Sequence, residues 1–485
     1  MFIKMVLDNW KKYAIRWMER NRGLIVVLFC LPASFLFDII LNIRNKINRT
    51  LMSGGPASHD KRVRTIQSKV NDWNKLPPNK RPFMCTAKPN WLSLSITFFR
   101  KDLCHQIPIP LYNILSIDED NLSVRVEPMV TVGDITAYLI PKGYTLAVTL
   151  EIADATLGGL AMGVGMTTHS HQPYVRLSYI PIKGQKDYCD MIRMVSGALE
   201  KDQKTPDYVE ATIFSKDEAV IMTGHYDDVK SNDDLYKVNN ITKWYKPWFY
   251  KHVESFLKKG KHQELIPLRE YLLRHNRAIF WVVESMIPFG NNPLFRLLFG
   301  WLLPPKPAFL KFTTTPGIRA MTFTKQVFQD IVLPMTELEK QIDISEKLFD
   351  TYPVLVYPCR VYDHGPHSGQ LRPPRPEQLT PGANWAMFND LGVYGVPGPV
   401  KRKEPYDAVA AMRAMEKFTR DVGGYSFLYA DIFMDRKEFE EMFDMTLYEK
   451  VREKYFANHA FPHLYDKVKP EIDVFEVGKQ YINPL

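Results

Sequence analysis

A run of apolar residues near the N-terminus limits what this chain can fold into more than any other feature. Residues Gly23–Leu41, GLIVVLFCLPASFLFDIIL, contain a single charge, Asp38. A helix of this length reaches about 28 Å, close to the thickness of the hydrocarbon layer of a bilayer. We therefore expect an uncleaved transmembrane anchor. A signal peptide is the alternative, but the 22 residues that precede the run are amphipathic and basic rather than a short n-region.

The remaining composition is that of an ordinary globular protein. The chain has 485 residues, more than one hydrophobic core usually supports, so we expect two domains besides the anchor. The net charge of +9 is dispersed, without basic runs interleaved with aromatic residues, and nucleic-acid binding is not expected. Five scattered cysteines favour reduced thiols and a body on the cytosolic side of the membrane. Neither CxxC nor HExxH occurs, and no metal site is expected.

A glycine-rich segment, TLGGLAMGVGMTT at Thr156–Thr168, is the strongest candidate for a ligand site. The adjacent Gly158 and Gly159 leave no Cβ where the backbone approaches a ligand, so successive N–H groups can face an anion such as a pyrophosphate. The spacing does not match the GxGxxG of a Rossmann fold, and no Gly-Lys-Ser/Thr of a Walker loop follows. A tight turn in a strand-rich domain is the alternative interpretation.

Five further blocks of sequence point to one enzyme family. They are VRVEPMVTVGDITAYL at Val124–Leu139, EAVIMTG at Glu218–Gly224, YKPWFYKHVE at Tyr245–Glu254, IPFGNNPLFRLLFGWLLPPK at Ile287–Lys306 and LYADIFMDRKEFEEMFD at Leu428–Asp444. Together with the glycine-rich segment, they resemble the Δ24-sterol reductases of the vanillyl-alcohol-oxidase-like FAD family. The resemblance covers nearly the whole chain.

The resemblance implies an α+β protein: a PCMH-type FAD-binding domain and a mixed α+β substrate domain, preceded by one N-terminal transmembrane helix. The expected segments are 1–22 (basic and amphipathic), 23–43 (transmembrane anchor), 44–81 (linker), 82–173 (FAD-binding domain) and 174–485 (substrate domain). It also implies FAD as cofactor, NADPH as reductant and reduction of the Δ24 side-chain double bond of a sterol. The residues expected to contact FAD are Thr156, Leu157, Gly158, Gly159, Leu160, Ala161, Met162, Gly163, Val164, Gly165, Met166, Thr167 and Thr168.

The resemblance further implies an endoplasmic reticulum membrane, with the Golgi as the alternative, and a cytosolic catalytic part. Basic residues flank the apolar run on both sides, so charge alone does not set its orientation. A sterol and the lipid bilayer are then the expected partners.

The chain departs from the family pattern after His171. It passes through Gln172 and Pro173 directly into the strand that begins at Tyr174, and roughly fifty to sixty residues of the family's flavin domain are absent, about half of a small α/β subdomain. The family also prefers glycine at the positions of Ala87 and Asn90. The alternative function is therefore a catalytically silent, membrane-bound form with an interaction or regulatory role.

Two other features concern the chemistry. Tyr429 and Asp431, in LYADIFM, alternate along a predicted strand and so face the same side. A phenol beside a carboxylate can relay the proton that accompanies hydride addition to a double bond, and the family resemblance of the block makes this the candidate catalytic pair. The aromatic run Phe280–Leu303 is either buried core or a lipid-facing or sterol-lining wall.

Periodicity predicts several elements of secondary structure. Alternating residues predict strands over Leu92–Phe99 and Leu122–Val126. Helical spacing predicts helices over His59–Trp73, Val132–Leu139 and Asp407–Val422.

Overall fold

The computed structural model describes residue 17 and residues 21–94, 99–146, 150–163, 174–470, 472–480 and 482, and it confirms a mixed α+β protein. The strands within these ranges are β1 (Met84–Thr86), β2 (His105–Ile107), β3 (Ile114–Asp118), β4 (Ser123–Val126), β5 (Tyr174–Lys183), β6 (Tyr208–Ser215), β7 (Glu218–Asp227), β8 (His262–Pro267), β9 (Val327–Pro334), β10 (Val354–Tyr362), β11 (Trp385–Gly395) and β12 (Tyr425–Ser426).

The N-terminal helix consists of α1 (Arg22–Ile25), a π-helical turn (Val26–Cys30) and α2 (Leu31–Ser53). The further helices are α3 (His59–Asn74), α4 (Val132–Leu139), α5 (Leu157–Gly163), α6 (Gln185–Ser196), α7 (Asn232–Lys237), α8 (Phe249–Glu254), α9 (Phe256–Lys259), α10 (Leu268–Leu272), α11 (Val282–Met286), α12 (Pro293–Phe299), α13 (Pro307–Phe312), α14 (Pro316–Lys325), α15 (Leu338–Phe349), α16 (Gly398–Lys401), α17 (Ala408–Asp421), α18 (Arg436–Met442), α19 (Thr446–Lys454), α20 (Leu464–Val468) and α21 (Val474–Gln480).

The largest element is an eight-stranded sheet within residues 174–426, in the order β12-β9-β11-β10-β6-β7-β5-β8. Its neighbouring strands run antiparallel throughout. Side chains alternate between the two faces of a strand, so the register decides which residues share a face. Val354 of β10 lies opposite Val393 of β11, and Tyr357 lies opposite Asp390. The first pair therefore belongs to one face of the sheet and the second pair to the other.

One face of this sheet is an apolar core covered by α6, α15 and α17. Ile331 and Val356 of the strands pack against Ile192, Ile342 and Met415 of the helices, and each of these side chains is at most 1% exposed. Burying an aliphatic side chain of this size stabilises the fold by about 1.5–3 kcal/mol. The packing of this helix-covered face makes the sheet rigid. The opposite face needs a rigid sheet, because it carries buried carboxyl groups and phenols. We call the opposite face the polar face.

Residues 82–163 form smaller units. β1 and β2 pair in parallel, and β3 and β4 form an antiparallel hairpin. The predicted helix over Val132–Leu139 is confirmed as α4, which begins with a capping box between Thr131 and Asp134. The predicted strand over Leu92–Phe99 is not found among its described residues. Its first residue ends a 3₁₀ turn, Asn90–Leu92, and residues 95–98 lie outside the described ranges.

The segment predicted as a linker is folded against the body. Its predicted helix is confirmed as α3, and the buried Arg62 of that helix donates to Glu127 at 2.5 Å. Trp73 is 4% exposed, and its indole N–H donates to the carbonyl of Pro82 at 2.7 Å. An ion pair that joins residues 65 positions apart therefore fastens α3 to the residues that follow, and the domain boundaries stay a prediction.

Gly424 marks a tight approach between β12 and β9. A Cβ at this position would lie 2.5 Å from the carbonyl oxygen of Val332, a backbone atom that cannot swing away. We expect Gly424→Ala to lower the free energy of unfolding by about 1–3 kcal/mol, as other overpacked substitutions do. Gly369→Ala is the matched control, because a Cβ there meets nothing within 4 Å. Thermal unfolding of the purified variants measures the effect. Equal melting temperatures for Gly424→Ala and Gly369→Ala would contradict the assignment.

Candidate functional site

Two buried carboxyl groups lie on the polar face, on neighbouring strands. Asp330 of β9 lies opposite Gly392 of β11, and Asp390 of β11 lies opposite Val332 of β9. The two acids are therefore diagonal neighbours on one face, a relation that brings side chains within reach of each other. They are 6% and 8% exposed.

Two tyrosines complete this group, which we call the acid cluster: Asp330, Asp390, Tyr394 and Tyr429. The phenols of Tyr394 and Tyr429 both donate to the carboxyl group of Asp330. A Cβ on Gly392 would lie 2.8 Å from the Tyr394 hydroxyl. Glycine at position 392 therefore lets the Tyr394 ring cross the strand to reach Asp330.

Burial sets the protonation of the two acids. It raises the pKa of Asp330 to about 6, although the two phenols act in the opposite direction. Burial and the neighbouring charge of Asp330 raise the pKa of Asp390 well above its ordinary value. The Oδ1 atom of Asp390 is buried without a hydrogen-bond partner among the described residues. At neutral pH the cluster therefore holds a neutral carboxylic acid with an uncommitted oxygen.

An ion-pair group lies beside the acid cluster on the same face. Arg274 donates to Glu210 Oε2 through Nε at 2.9 Å and Nη2 at 2.7 Å, and His275 Nε2 lies 2.9 Å from Glu210 Oε1. Burial opposes ionisation of Glu210, but the charges of Arg274 and His275 hold its pKa at about 2. Arg274 also donates to the Tyr357 hydroxyl at 2.8 Å, and Tyr357 faces Asp390 across the ladder. The site thus combines an ionised carboxylate, Glu210, with a protonated acid, Asp390.

Aromatic side chains form a wall next to the acid cluster. The ring of Phe280 stacks on His275 at 4.8 Å and lies 5.3 Å from the ring of Tyr394. The indole N–H of Trp281 donates to the Tyr394 carbonyl at 2.8 Å. Ile279 and Phe280 have φ angles of 46° and 60°, a region that costs such residues about 1–3 kcal/mol each and that persists only under strong packing. The surrounding packing therefore holds Phe280 at the site in a strained conformation.

Sequence comparison identifies the relatives of this chain. No family model matches it. The human Delta(24)-sterol reductase is 36% identical over 507 residues, with 92% of this chain and 93% of the human protein covered. The Caenorhabditis elegans Delta(24)-sterol reductase homolog is 32% identical, with 95% and 97% covered, and the Arabidopsis thaliana Delta(24)-sterol reductase is 29% identical, with 96% and 94% covered.

This chain belongs to the Delta(24)-sterol reductase family. Among solved structures, a solvent-stable cholesterol oxidase and a VAO-type flavoprotein from Myceliophthora thermophila are similar, each with a TM-score of 0.35, at 13% and 10% identity. The first similarity covers 65% of this chain and 72% of the other, and the second covers 73% and 68%. A TM-score this low carries no argument about fold.

The comparison with the human member of the family bears on the segment predicted to be missing. The matched region of 507 residues is longer than the 485 residues of this chain, so the alignment contains gaps on this chain's side. The predicted place of the gap, between His171 and Tyr174, falls outside the described residues and stays a prediction.

The predicted strand through the family's LYAD block is wrong, and its two candidate residues have different partners. β12 ends at Ser426, and the chain turns at Tyr429. Tyr429 donates to Asp330, whereas Asp431 forms an ion pair with Arg319 at 2.9 Å. The role of Tyr429 and Asp431 as a proton relay stays a prediction.

The sequence also contains a signal for the acid cluster, outside the motifs described above. Asp330 stands in FQDIVLP and Asp390 in FNDLGVYG, each the only charged residue in its strand. A charged residue in such a strand is almost never buried without a purpose.

The described part of the glycine-rich segment is a short helix, α5, rather than a loop. Its two adjacent glycines differ in what surrounds them. A Cβ on Gly158 would lie 2.7 Å from Pro128 Cβ and 2.9 Å from the Pro128 carbonyl oxygen, whereas a Cβ on Gly159 would meet only Thr156 Oγ1, at 2.9 Å. Gly158 thus serves the packing of the chain itself, and the contact of Gly159 with a ligand stays a prediction. Residues 164–168, like His169 and His171, lie outside the described ranges.

The difference between the two glycines can be tested with a matched pair of variants. We expect Gly159→Val to remove bound flavin from the purified protein while its melting temperature stays near that of the wild type, because the new side chain meets only the Thr156 hydroxyl, which can rotate away, and not the backbone. Gly158→Val is expected to lower the melting temperature, because it pushes against the backbone at Pro128. Normal flavin absorbance in Gly159→Val would contradict the assignment.

Proposed function

We propose that this chain catalyses a flavin-dependent reduction of the Δ24 side-chain double bond of a sterol, with the buried carboxylic acid of Asp390 as the proton donor. Relatives over almost the full length of the chain support the reaction, since each is named as a Delta(24)-sterol reductase or its homolog. The protonation state of Asp390 supports the assignment of the donor.

The single observation on which the assignment rests is that Asp390 Oδ1 is buried without a hydrogen-bond partner among the described residues, in surroundings that raise the pKa of Asp390 through burial. An isolated alkene offers no polar group to polarise, so its reduction needs a hydride for one carbon and a proton for the other. As the hydride adds to the first carbon, the O–H bond of Asp390 breaks and its proton forms the new C–H bond at the second. An apolar surrounding keeps that proton on Asp390 at neutral pH until the substrate takes it.

FAD fits the glycine-rich segment as far as the structure describes it. At Gly159 a Cβ would meet a side-chain hydroxyl, that of Thr156, rather than backbone, and residues Thr156–Gly163 would hold the cofactor together with residues 164–168. When bound, FAD supplies the hydride, which we infer to come from NADPH.

Asp330 acts on the reaction through Asp390. Its carboxyl group accepts hydrogen bonds from Tyr394 and Tyr429, and its negative charge is a cause of the raised pKa of Asp390. Asp330 and the two tyrosines are therefore positioning residues that keep the donor protonated. Tyr429 retains a role from the sequence prediction, but with Asp330 instead of Asp431.

The ion-pair group orients the other side of the donor. Arg274, held by Glu210, fixes the side chain of Tyr357, the residue that pairs with Asp390 in the ladder. Phe280 and Trp281 close the site with apolar surface, which suits the aliphatic side chain of a sterol and keeps water from the donor.

The apolar N-terminal helix supports a membrane location, because it is long and apolar enough to cross a bilayer. From the family resemblance we infer the endoplasmic reticulum membrane, with the Golgi as the alternative, and a cytosolic catalytic part. A single-pass topology stays a prediction.

A catalytically silent form is the second candidate function, and the gaps in the alignment favour it. A flavin domain that lacks one side would bind FAD weakly. The flavin absorbance of the purified full chain, followed by turnover of a Δ24 sterol with NADPH and excess FAD, separates the two. Absence of both, with recovery when a family-like segment is inserted between His171 and Tyr174, would establish the silent form.

Replacement of the proposed donor tests the mechanism. We expect Asp390→Asn to lower kcat for sterol reduction on the order of 10²-fold or more, the usual contribution of a general acid, while bound flavin is retained. Glu416→Gln is the matched control, because burial raises the pKa of Glu416 to about 8 and this acid accepts from the backbone N–H of Phe433 on the helix-covered side. Equal kcat values for the two variants would show that Asp390 is not the donor.

The charge of Asp330 gives a prediction for pH dependence. Asp330 ionises near pH 6, and above that pH its charge raises the pKa of Asp390. In Asp330→Asn this charge is missing, the pKa of Asp390 falls, and the donor loses its proton at lower pH. The alkaline decrease of kcat should therefore begin at a lower pH than in the wild type. An unchanged pH profile of kcat would disprove the coupling.

A further inference from the structure

The N-terminal helix packs against the rest of the protein through a stripe of buried residues on one face. We call its residues Gly23–Ile47 the anchor helix. The buried positions are Gly23, Val27, Leu31, Ser34 and Leu41, whose spacing of three, four or seven residues defines one helical face. Val27 and Leu31 belong to the same apolar cluster as Trp248, Trp281 and Leu355 of the body.

Polar contacts fasten the same face. Ser34 Oγ accepts from the backbone N–H of Lys306 at 2.7 Å. The Lys306 ammonium lies 3.0 Å from Asp38 and 2.8 Å from Asp154. The single charge of the apolar run is thus paired with the body, so the helix is docked through both apolar and charged groups.

This docking conflicts with a helix that crosses the bilayer. The buried face runs from Gly23 to Leu41, about 27 Å at 1.5 Å per residue, which is nearly the thickness of the hydrocarbon layer. If the anchor helix crossed the membrane, the body residues packed along it would lie at the same depth. Lys306, Asp154 and the irregular backbone around them would then enter hydrocarbon, where charges and unpaired backbone groups are costly.

The outer face of the anchor helix is apolar and exposed. Leu28, Phe29 and Ile40 are 65–67% exposed. The neighbouring helix α12 and the turn after it add Leu294, Leu297 and Trp301, of which Leu297 is 61% exposed. The two parts are continuous, since the rings of Phe35 and Trp301 are 5.3 Å apart, and we call them together the insertion surface.

We propose that the anchor helix lies in the plane of the membrane and that the insertion surface enters one leaflet of a lipid bilayer. A 25-residue helix with one docked face and one exposed apolar face is the pattern of a monotopic element. Half-exposed Trp244 and Tyr245 lie at the edge of this surface, where the Arg296 guanidinium of α12 donates to the Tyr245 carbonyl. Such residues are enriched at the interface between lipid and water. This inference does not depend on the proposed reaction.

The side of the membrane on which each end of the chain lies distinguishes a helix in the membrane plane from a single-pass anchor. The full chain is expressed in microsomes with a glycosylation acceptor ahead of Met1 and another after Leu485. In any spanning topology one end of the chain is luminal and is modified. In the proposed arrangement neither end is modified, and the native sequons at Asn48, Asn121 and Asn240 also stay unmodified. Modification at only one end, detected by endoglycosidase treatment, overturns the proposal.

A control shows that the acceptor is competent. The same chain carrying a cleavable signal peptide ahead of the first acceptor must show the mass shift at that site. Retention of the full chain in the membrane pellet shows that the unmodified protein is membrane-bound.

A charged side chain introduced in α12 tests whether the insertion surface enters the leaflet. Leu297→Glu is expected to increase, several-fold, the fraction of full chain released from phosphatidylcholine vesicles at alkaline pH, because the glutamate must leave the leaflet. Leu199→Glu is the matched control, at a leucine 55% exposed after helix α6. Equal release of the two variants overturns the proposal. A change in oligomeric size with Leu297→Glu, without a change in release, also overturns it, because that result would assign the insertion surface to contact with a second copy of the chain.

Discussion

The antiparallel ladder between β9 and β11 is the constraint on which the site depends. It places Asp330 opposite Gly392 and Asp390 opposite Val332, so both acids face away from the helix-covered core. A slip of one residue would turn every side chain of a strand to the other face. The acids would then enter the apolar core, and Ile331 and Leu391 would replace them on the polar face. Register therefore determines the chemistry as well as the packing.

Burying an acid without a partner costs free energy, and the structure shows what offsets that cost. The helix-covered face of the same sheet packs aliphatic side chains of the strands against three helices. Asp390 meets the cost by remaining protonated, whereas Glu210 meets it by pairing with Arg274 and His275. Two carboxyl groups on one face thus differ in charge because their neighbours differ. The apolar cluster that receives the anchor helix also contains Tyr357 and Tyr394, so packing is continuous from the insertion surface to the acid cluster.

Much of the local structure followed from the sequence. The helices at Val132–Leu139 and Ala408–Asp421 were predicted almost to the residue, because their apolar spacing and their caps are local. The family followed from motifs, and the comparison with known reductases confirms it. The predicted strand that carries Tyr429 and Asp431 was wrong because the chain turns there, and the contacts of these residues with Asp330 and Arg319 join positions about a hundred residues apart.

The sequence by itself determined the apolar helix, the helices over Val132–Leu139 and Ala408–Asp421, and the family, since each depends on residues close together in the chain. Only the tertiary structure decided that Asp330 and Asp390, on strands with a helix and another strand between them in sequence, meet on one face. It also decided that the anchor helix packs on the body, through a contact between Ser34 and Lys306 that joins residues 272 positions apart. The physical reason is that strand order and helix docking arise from packing across the whole molecule, which no local pattern records.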